Sequence, residues 1–138
     1  MKKNQQITIN NTSINVARTN ESDYVSLTDM LKEKDGDFFI SDWLSNRNTI
    51  EFLAVWEQMH NQDFNYGEFA IIKSNVGLNS YKISIKEWSK KTNAIDLTAK
   101  TGGYGGTYAH QDIAFEFASW ISPIFKLHLI SQPLKTIQ

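Results

Sequence analysis

Residues 99–130 read AKTGGYGGTYAHQDIAFEFASWISPIFKLHLI, and the fold is decided here. Four of the chain's seven glycines, Gly102, Gly103, Gly105 and Gly106, surround Tyr104. Glycine takes positive φ and lets a backbone approach another surface closely, so this composition predicts a tight projecting turn with an aromatic ring at its tip. Lys100 and Thr101 enter the turn and Thr107 and Tyr108 leave it, as the two arms of a β-hairpin. Behind it, Ile113, Phe117, Trp120 and Ile121 recur at helical spacing with Ala114 and Ala118 on the same face, which predicts a helix with that face in the core. Ser122-Pro123 places an N-cap residue before proline at a first helical position, so a separate closing helix is expected over about 123–130, and Pro133 argues against its continuation.

Working outward, Ile7-Thr8-Ile9 and Ile14-Asn15-Val16 alternate with period two around Asn10-Asn11, which predicts an N-terminal hairpin. Ser26-Leu27-Thr28-Asp29 has the form of a capping box, with Val25 and Met30 as its hydrophobic staple. A short helix is expected from Leu27 to about Glu33, ended by Asp35-Gly36. Phe39, Ile40, Trp43 and Leu44 have helical spacing, and Ile50, Leu53, Val55, Trp56 and Met59 resume it beyond the polar Asn46-Arg47-Asn48, where Asn48 with Glu51 is a second possible cap. The residues leave open one bent helix or two abutting ones; a short helix, a turn and a longer helix is the arrangement of a helix-turn-helix. From Asn61 to Asn79 the chain looks loop-like around a possible strand, Phe69-Ala70-Ile71-Ile72. Tyr81-Lys82-Ile83 suggests another strand, and Ser84-Ile85-Lys86-Glu87 a further capping box opening a helix through about Lys91. The tryptophans Trp43, Trp56, Trp88 and Trp120 all fall on helical apolar patterns and are assigned to the core.

A chain of 138 residues is long enough to bury a core as one domain. Its 41% hydrophobic and 21% charged residues are ordinary for a globular protein. With no cysteine there are no disulfides or thiolate metal sites, which fits a cytoplasmic location. No apolar run approaches the ~20 residues of a membrane helix, and Met1-Lys2-Lys3 leads into polar Asn4-Gln5-Gln6 rather than a signal-peptide core. A formal net charge of −1 lacks the basic excess of a strong nonspecific DNA binder. The charge is uneven, however: Lys82, Lys86, Lys90, Lys91 and Lys100 gather towards the glycine turn, while Glu21, Asp23, Glu33, Asp35 and Asp37 lie early. Solvated faces would account for both groups equally.

Two segments carry chemistry suited to nucleic acid. Arg47 is flanked by Asn46 and Asn48; arginine reads guanine bidentately and asparagine reads adenine, so this triplet suits base edges or phosphates. The alternative is a polar helix junction with Arg47 paired to Glu51 at i+4. The turn from Lys100 through Thr101, Gly103, Tyr104, Gly105 and Gly106 to Thr107 offers a cation, close backbone approach and a flat ring; the alternative is a tight structural hairpin. His110, Asp112 and His128 do not form a metal or nuclease signature, and the glycine order is not that of a nucleotide-binding loop, so no catalysis and no cofactor are expected.

Thr92-Asn93-Ala94-Ile95, Tyr104-Gly105-Gly106-Thr107-Tyr108-Ala109-His110 and the run from Asp112 to Pro123 together resemble the KilA-N domain of bacteriophages, prophages and large DNA viruses. Tyr24 to Lys32 and Trp43-Leu44-Ser45-Asn46-Arg47-Asn48-Thr49 are also similar to it. The resemblance spans about residues 24–130, with 1–23 as an N-terminal hairpin and 131–138 as a tail of one domain covering 1–138. It implies an α/β fold of the α+β type, in which small antiparallel hairpins pack on short helices in a winged helix-turn-helix related to fungal APSES domains. It further implies double-stranded DNA binding by a phage, prophage or viral regulator, with a hairpin wing at residues 100–107. One departure is Gly103, which stands where family members often carry a basic residue. The near-neutral charge also leaves open a protein-interaction module, an antirepressor-like factor that binds another regulatory protein.

Overall fold

The computed structural model describes residues 3–9, 12–18, 22–31, 36–78, 81–100 and 106–121. The fold is α+β, with six helices and a five-stranded sheet among the described residues. Two compact units divide it: the first takes residues 1–36 and 100–138, the second residues 37–99.

The first unit is built on the expected N-terminal hairpin. Strands β1 (Lys3–Ile9) and β2 (Thr12–Arg18) pair antiparallel with Ile7 opposite Ile14. Strand β3 (Asp23–Ser26) pairs antiparallel with β2, Val16 facing Val25, and Arg18 forms an ion pair of 3.3 Å with Asp23, its partner in register. β3 then pairs antiparallel with β5 (Gly106–His110), Val25 facing Ala109. The strand order is β1-β2-β3-β5-β4, where β4 (Leu97–Lys100) is the strand by which the chain returns from the second unit to the first.

Helix α1 (Leu27–Leu31) begins directly after β3, and Ser26 Oγ accepts the backbone N–H of Asp29 at 3.1 Å, as the capping box requires. The Asp29 carboxylate, expected to turn back onto the cap, places Oδ2 instead on Asn15, accepting its backbone N–H at 2.8 Å and its side-chain amide at 2.9 Å. The box thereby becomes a tie between α1 and β2. Helix α6 (Gln111–Ile121) buries Ile113, Ala114, Phe117 and Ala118, the predicted face. Trp120 departs from it: the indole is 38% exposed and stacks on Phe117 at 6.0 Å between ring centroids. At about 100° per residue the buried sector runs from Ile113 through Phe117 and Ala114 to Ala118, and Trp120 falls just beyond its Ile113 edge. The closing helix expected over 123–130 lies outside the described residues, as does the 10–11 turn.

In the second unit, α2 (Gly36–Leu44) and α3 (Arg47–His60) are two helices rather than one bent helix. Gly36, expected to terminate the preceding helix, instead stands at the first position of α2. The break at Ser45-Asn46 is closed by Ser45 N–H on Ser41 O at 2.9 Å and Asn46 N–H on Trp43 O at 3.3 Å. The N-cap of α3 is Asn46, so Asn48, expected as a cap, lies inside the first turn. Burial follows Ile50, Leu53, Ala54 and Glu57, a helical stripe at i, i+3, i+4 and i+7, while Val55 and Met59 point outward.

Two strand expectations are overturned. Phe69-Ile72 lies in helix α4 (Tyr66–Asn75), whose N-cap Asn65 accepts the backbone N–H of Glu68 at 3.0 Å. A four-residue apolar run has no period of its own, and the cap decides its state. Tyr81-Lys82-Ile83 forms neither strand nor helix. Side chains take the backbone hydrogen bonds of Ile83: its N–H donates to Ser45 Oγ at 3.2 Å, and Ser41 Oγ donates to Ile83 O at 3.1 Å. The Ser84–Glu87 capping box is present in full and opens α5 (Ile85–Thr92), which ends at Asn93 in the left-handed region, φ 59°. Trp88 is fully buried with Phe64 and Phe69 packed at 5.8 and 6.3 Å, so the aromatic segment read as a loop supplies core.

Candidate nucleic-acid interface

Asn46, Arg47 and Asn48 are exposed at the start of α3. Asn46 holds its N-cap position without a side-chain cap hydrogen bond, so its amide group is not committed to the helix it begins. Arg47 directs Nη2 to Val76 O at 3.4 Å, the long end of hydrogen-bond range. The Arg47–Glu51 pair of the alternative reading is replaced: Glu51 Oε2 lies 2.8 Å from Lys73 Nζ, and that lysine first, with Arg47 as a lesser influence, holds the Glu51 carboxyl below its ordinary range. Arg47 therefore stands at the positive end of the α3 dipole, with the nearby carboxylate already neutralised.

The same helix has an outward side that sequence reasoning did not assign. Phe52, Val55 and Met59 are 37%, 56% and 73% exposed, and they continue the line begun by Asn48. Val55 and Met59 were indistinguishable from core by apolar character; the signal was Glu57, a carboxylate in the phase of Ile50, Leu53 and Ala54.

The hairpin arms are present as β4 and β5, while Thr101, Gly102, Gly103, Tyr104 and Gly105 lie outside the described residues. Lys100 ends β4 with Nζ 4.6 Å from the centre of the Tyr108 ring, a cation–π contact that holds the ammonium at the base of the turn. Gly106 starts β5 with φ 124°. Thr107 is buried, and its backbone N–H donates to Thr28 Oγ1 at 2.9 Å, so this residue anchors the hairpin to α1. Of the lysines gathered towards the turn, Lys82 pairs with Asp42 at 2.8 Å and Lys91 with Glu87 at 3.7 Å, whereas Lys86 and Lys90 are exposed one helical turn apart on α5.

His110 closes β5 and accepts the backbone N–H of Asp112 on Nδ1 at 3.1 Å, packing edge-on to Tyr24 at 5.7 Å. Among the described residues no group of three or more His, Cys, Asp or Glu side chains could hold a metal ion.

Within the second unit lies a buried acid pair. Glu57 Oε2 accepts the backbone N–H groups of Ile95 at 2.9 Å and Asp96 at 2.7 Å, and Oε1 accepts the Asn61 amide at 2.7 Å. Asp96 Oδ1 accepts the Trp88 indole N–H at 3.0 Å, but buried Oδ2 receives no donor. Burial and the charge of Glu57 push the Asp96 carboxyl well above its ordinary range, which favours the protonated form, the form that can donate to Glu57.

The KilA-N domain model matches residues 7–137. The chain belongs to the KilA-N family. KilA-N domains are generally DNA-binding domains of phage and viral proteins, and the match runs through the α2–α3 pair and the β4–β5 hairpin alike. The chain is also similar to protein kilA of Escherichia phage P1, with 44% identity over 48 residues, which make up 35% of this chain and 18% of that protein. The matched part is thus less than a fifth of that relative's length. No solved structure matches the chain. In the described residues of this KilA-N chain, no helix is long and apolar enough to cross a membrane.

Proposed function

We propose that this KilA-N domain binds double-stranded DNA as part of a phage or prophage regulator, with the N-terminal end of α3 reading base edges in the major groove. The observation that carries the reading is the exposed Asn46-Arg47-Asn48 triplet at the start of a 14-residue helix, two residues beyond the end of α2. A helix that enters the major groove presents its N-terminal residues to the bases, and these three side chains supply the donors and acceptors that guanine and adenine edges require. The β4–β5 segment from Lys100 to Gly106, with Thr101, Gly103, Tyr104 and Gly105 between the two strands in sequence, is proposed as a second, separate contact to the sugar-phosphate backbone. Glycine admits close approach there, and Lys100 supplies one phosphate-neutralising charge.

The experiment is a titration of the protein against a randomised duplex pool at two salt concentrations, followed by sequencing of the bound fraction. Phosphate contact makes affinity fall steeply with salt, and base reading enriches particular positions. Salt-independent binding, or none, would return the chain to the protein-interaction module that binds another regulatory protein.

A further inference from the structure

We infer that the outward stripe of α3 selects A·T-rich DNA, with Asn48 on adenine and Phe52, Val55 and Met59 against the C5-methyl groups of thymine. This rests on the proposal that α3 lies in the major groove, and it names the base class that α3 takes there. Residues 48, 52, 55 and 59 are spaced by four, three and four, so at 3.6 residues per turn they fall within about 60° of the helix circumference and run about 16 Å along it. That is the length of about five base-pair steps of 3.4 Å.

Ile50, Leu53, Ala54, Trp56 and Glu57 occupy the buried side, so the stripe is not the core edge of the helix. It contains no carboxylate. The flanking Glu51 is bonded to Lys73 at 2.8 Å, leaving Arg47 and the helix N-terminus to set the sign of the field at that end. A polyanion is therefore matched in charge, although the stripe itself is mainly apolar.

Among the four bases, thymine alone presents an apolar group in the major groove, and adenine presents the N7 acceptor and N6 donor that an asparagine amide reads bidentately. Against G·C pairs, Phe52, Val55 and Met59 would cover only polar edges and gain nothing from leaving water. An A·T-rich site satisfies both ends of the stripe.

The test starts from the duplex enriched from a randomised pool and resynthesises it with deoxyuridine for thymidine, which keeps every hydrogen bond and removes only the methyl groups. Enrichment of A·T pairs is expected, with wild-type affinity falling about fourfold for each buried methyl lost. Val55→Ser, at an exposed position that folding does not need, should bind the two duplexes more nearly alike. Equal wild-type binding to both duplexes, or enrichment of G·C pairs with no A·T run of about four to five pairs, overturns this inference while leaving DNA binding intact. Absence of salt-dependent binding to any duplex overturns the underlying proposal. A concentration-dependent dimer abolished by Val55→Ser assigns the stripe to a second copy of the chain and overturns the inference as well.

Discussion

A Cβ added to Gly106 would lie 2.8 Å from Thr28 Oγ1 and 3.0 Å from Thr28 Cβ. That hydroxyl cannot simply turn away, because it accepts the Thr107 backbone N–H at 2.9 Å. Gly106 also has φ 124°, a region side chains rarely enter. Gly106→Ala should therefore destabilise the protein by about 1–3 kcal/mol from backbone strain together with the contact. In a Thr28→Ala background the 2.8 Å contact to Oγ1 is removed while the 3.0 Å contact to Cβ and the strain remain, so the same substitution should cost somewhat less. Denaturant melts of the four proteins measure the coupling, and identical costs in both backgrounds would show that Thr28 does not constrain the start of β5.

Lys100 sits at the base of the turn, over the Tyr108 ring. If it neutralises one phosphate, Lys100→Ala should weaken binding to all duplexes about equally and reduce the salt slope by about 1. Loss of the cation–π contact should cost only about 0.5–1 kcal/mol of stability. An unchanged salt slope with the small stability loss would confine Lys100 to a structural part.

Arg47 has a different expected signature. As a base reader, Arg47→Ala should lose about 1–3 kcal/mol on the preferred site and flatten discrimination at one position. Its long contact to Val76 O contributes little stability, so the fold should persist. A uniform loss across all sequences would make Arg47 a phosphate contact instead.

Trp88 and Trp120 looked equivalent in sequence and should behave differently. Trp88 is fully buried, and Trp88→Ala should cost about 3–5 kcal/mol by emptying an aromatic site and removing a donor from Asp96. Trp120 is 38% exposed, so Trp120→Ala should cost well below that. Equal losses in urea melts would place Trp120 in the core after all.

Much of the architecture was legible because local chemistry and tertiary packing agreed. Ser84 and Glu87 form the expected reciprocal cap, Ile7 faces Ile14 across the expected hairpin, and Phe117 lies on the expected helix face. The misread segments are those where a distant partner decides. Ile83 looks like a strand residue, but its backbone is satisfied by Ser41 and Ser45, about forty positions earlier in sequence. Val55 and Met59 have core composition in an exposed phase. Asp29 was legible as part of a cap, yet its bond to Asn15 depends on how β2 lies against α1. In the candidate site, the Asn46–Asn48 triplet could be named from residue types, whereas the replacement of Arg47 by Lys73 as the Glu51 partner required the packing of α4 on α3.

The buried pair of Glu57 and Asp96 makes stability depend on pH in the sense opposite to most carboxylates. Asp96 titrates well above its ordinary 3.8 in the folded protein, because burial and the charge of Glu57 disfavour its ionised form. The folded state therefore keeps a proton that the unfolded chain releases. Its contribution to stability is complete below the ordinary value and is lost progressively as pH rises from there towards the raised folded pKa. Asp96→Asn should remove this loss: the amide oxygen can still accept the Trp88 indole N–H, and the amide nitrogen can donate to Glu57 without a proton to lose. Urea midpoints read by tryptophan fluorescence between about pH 4 and pH 8 should show a flatter profile for Asp96→Asn than for wild type, with the larger gain at the alkaline end. Asp96→Ala leaves the buried indole donor unpaired and should destabilise by about 1–3 kcal/mol at every pH. If Asp96→Asn leaves the pH profile unchanged, Asp96 is ionised in the folded protein, and the donor required by its Oδ2 must come from elsewhere.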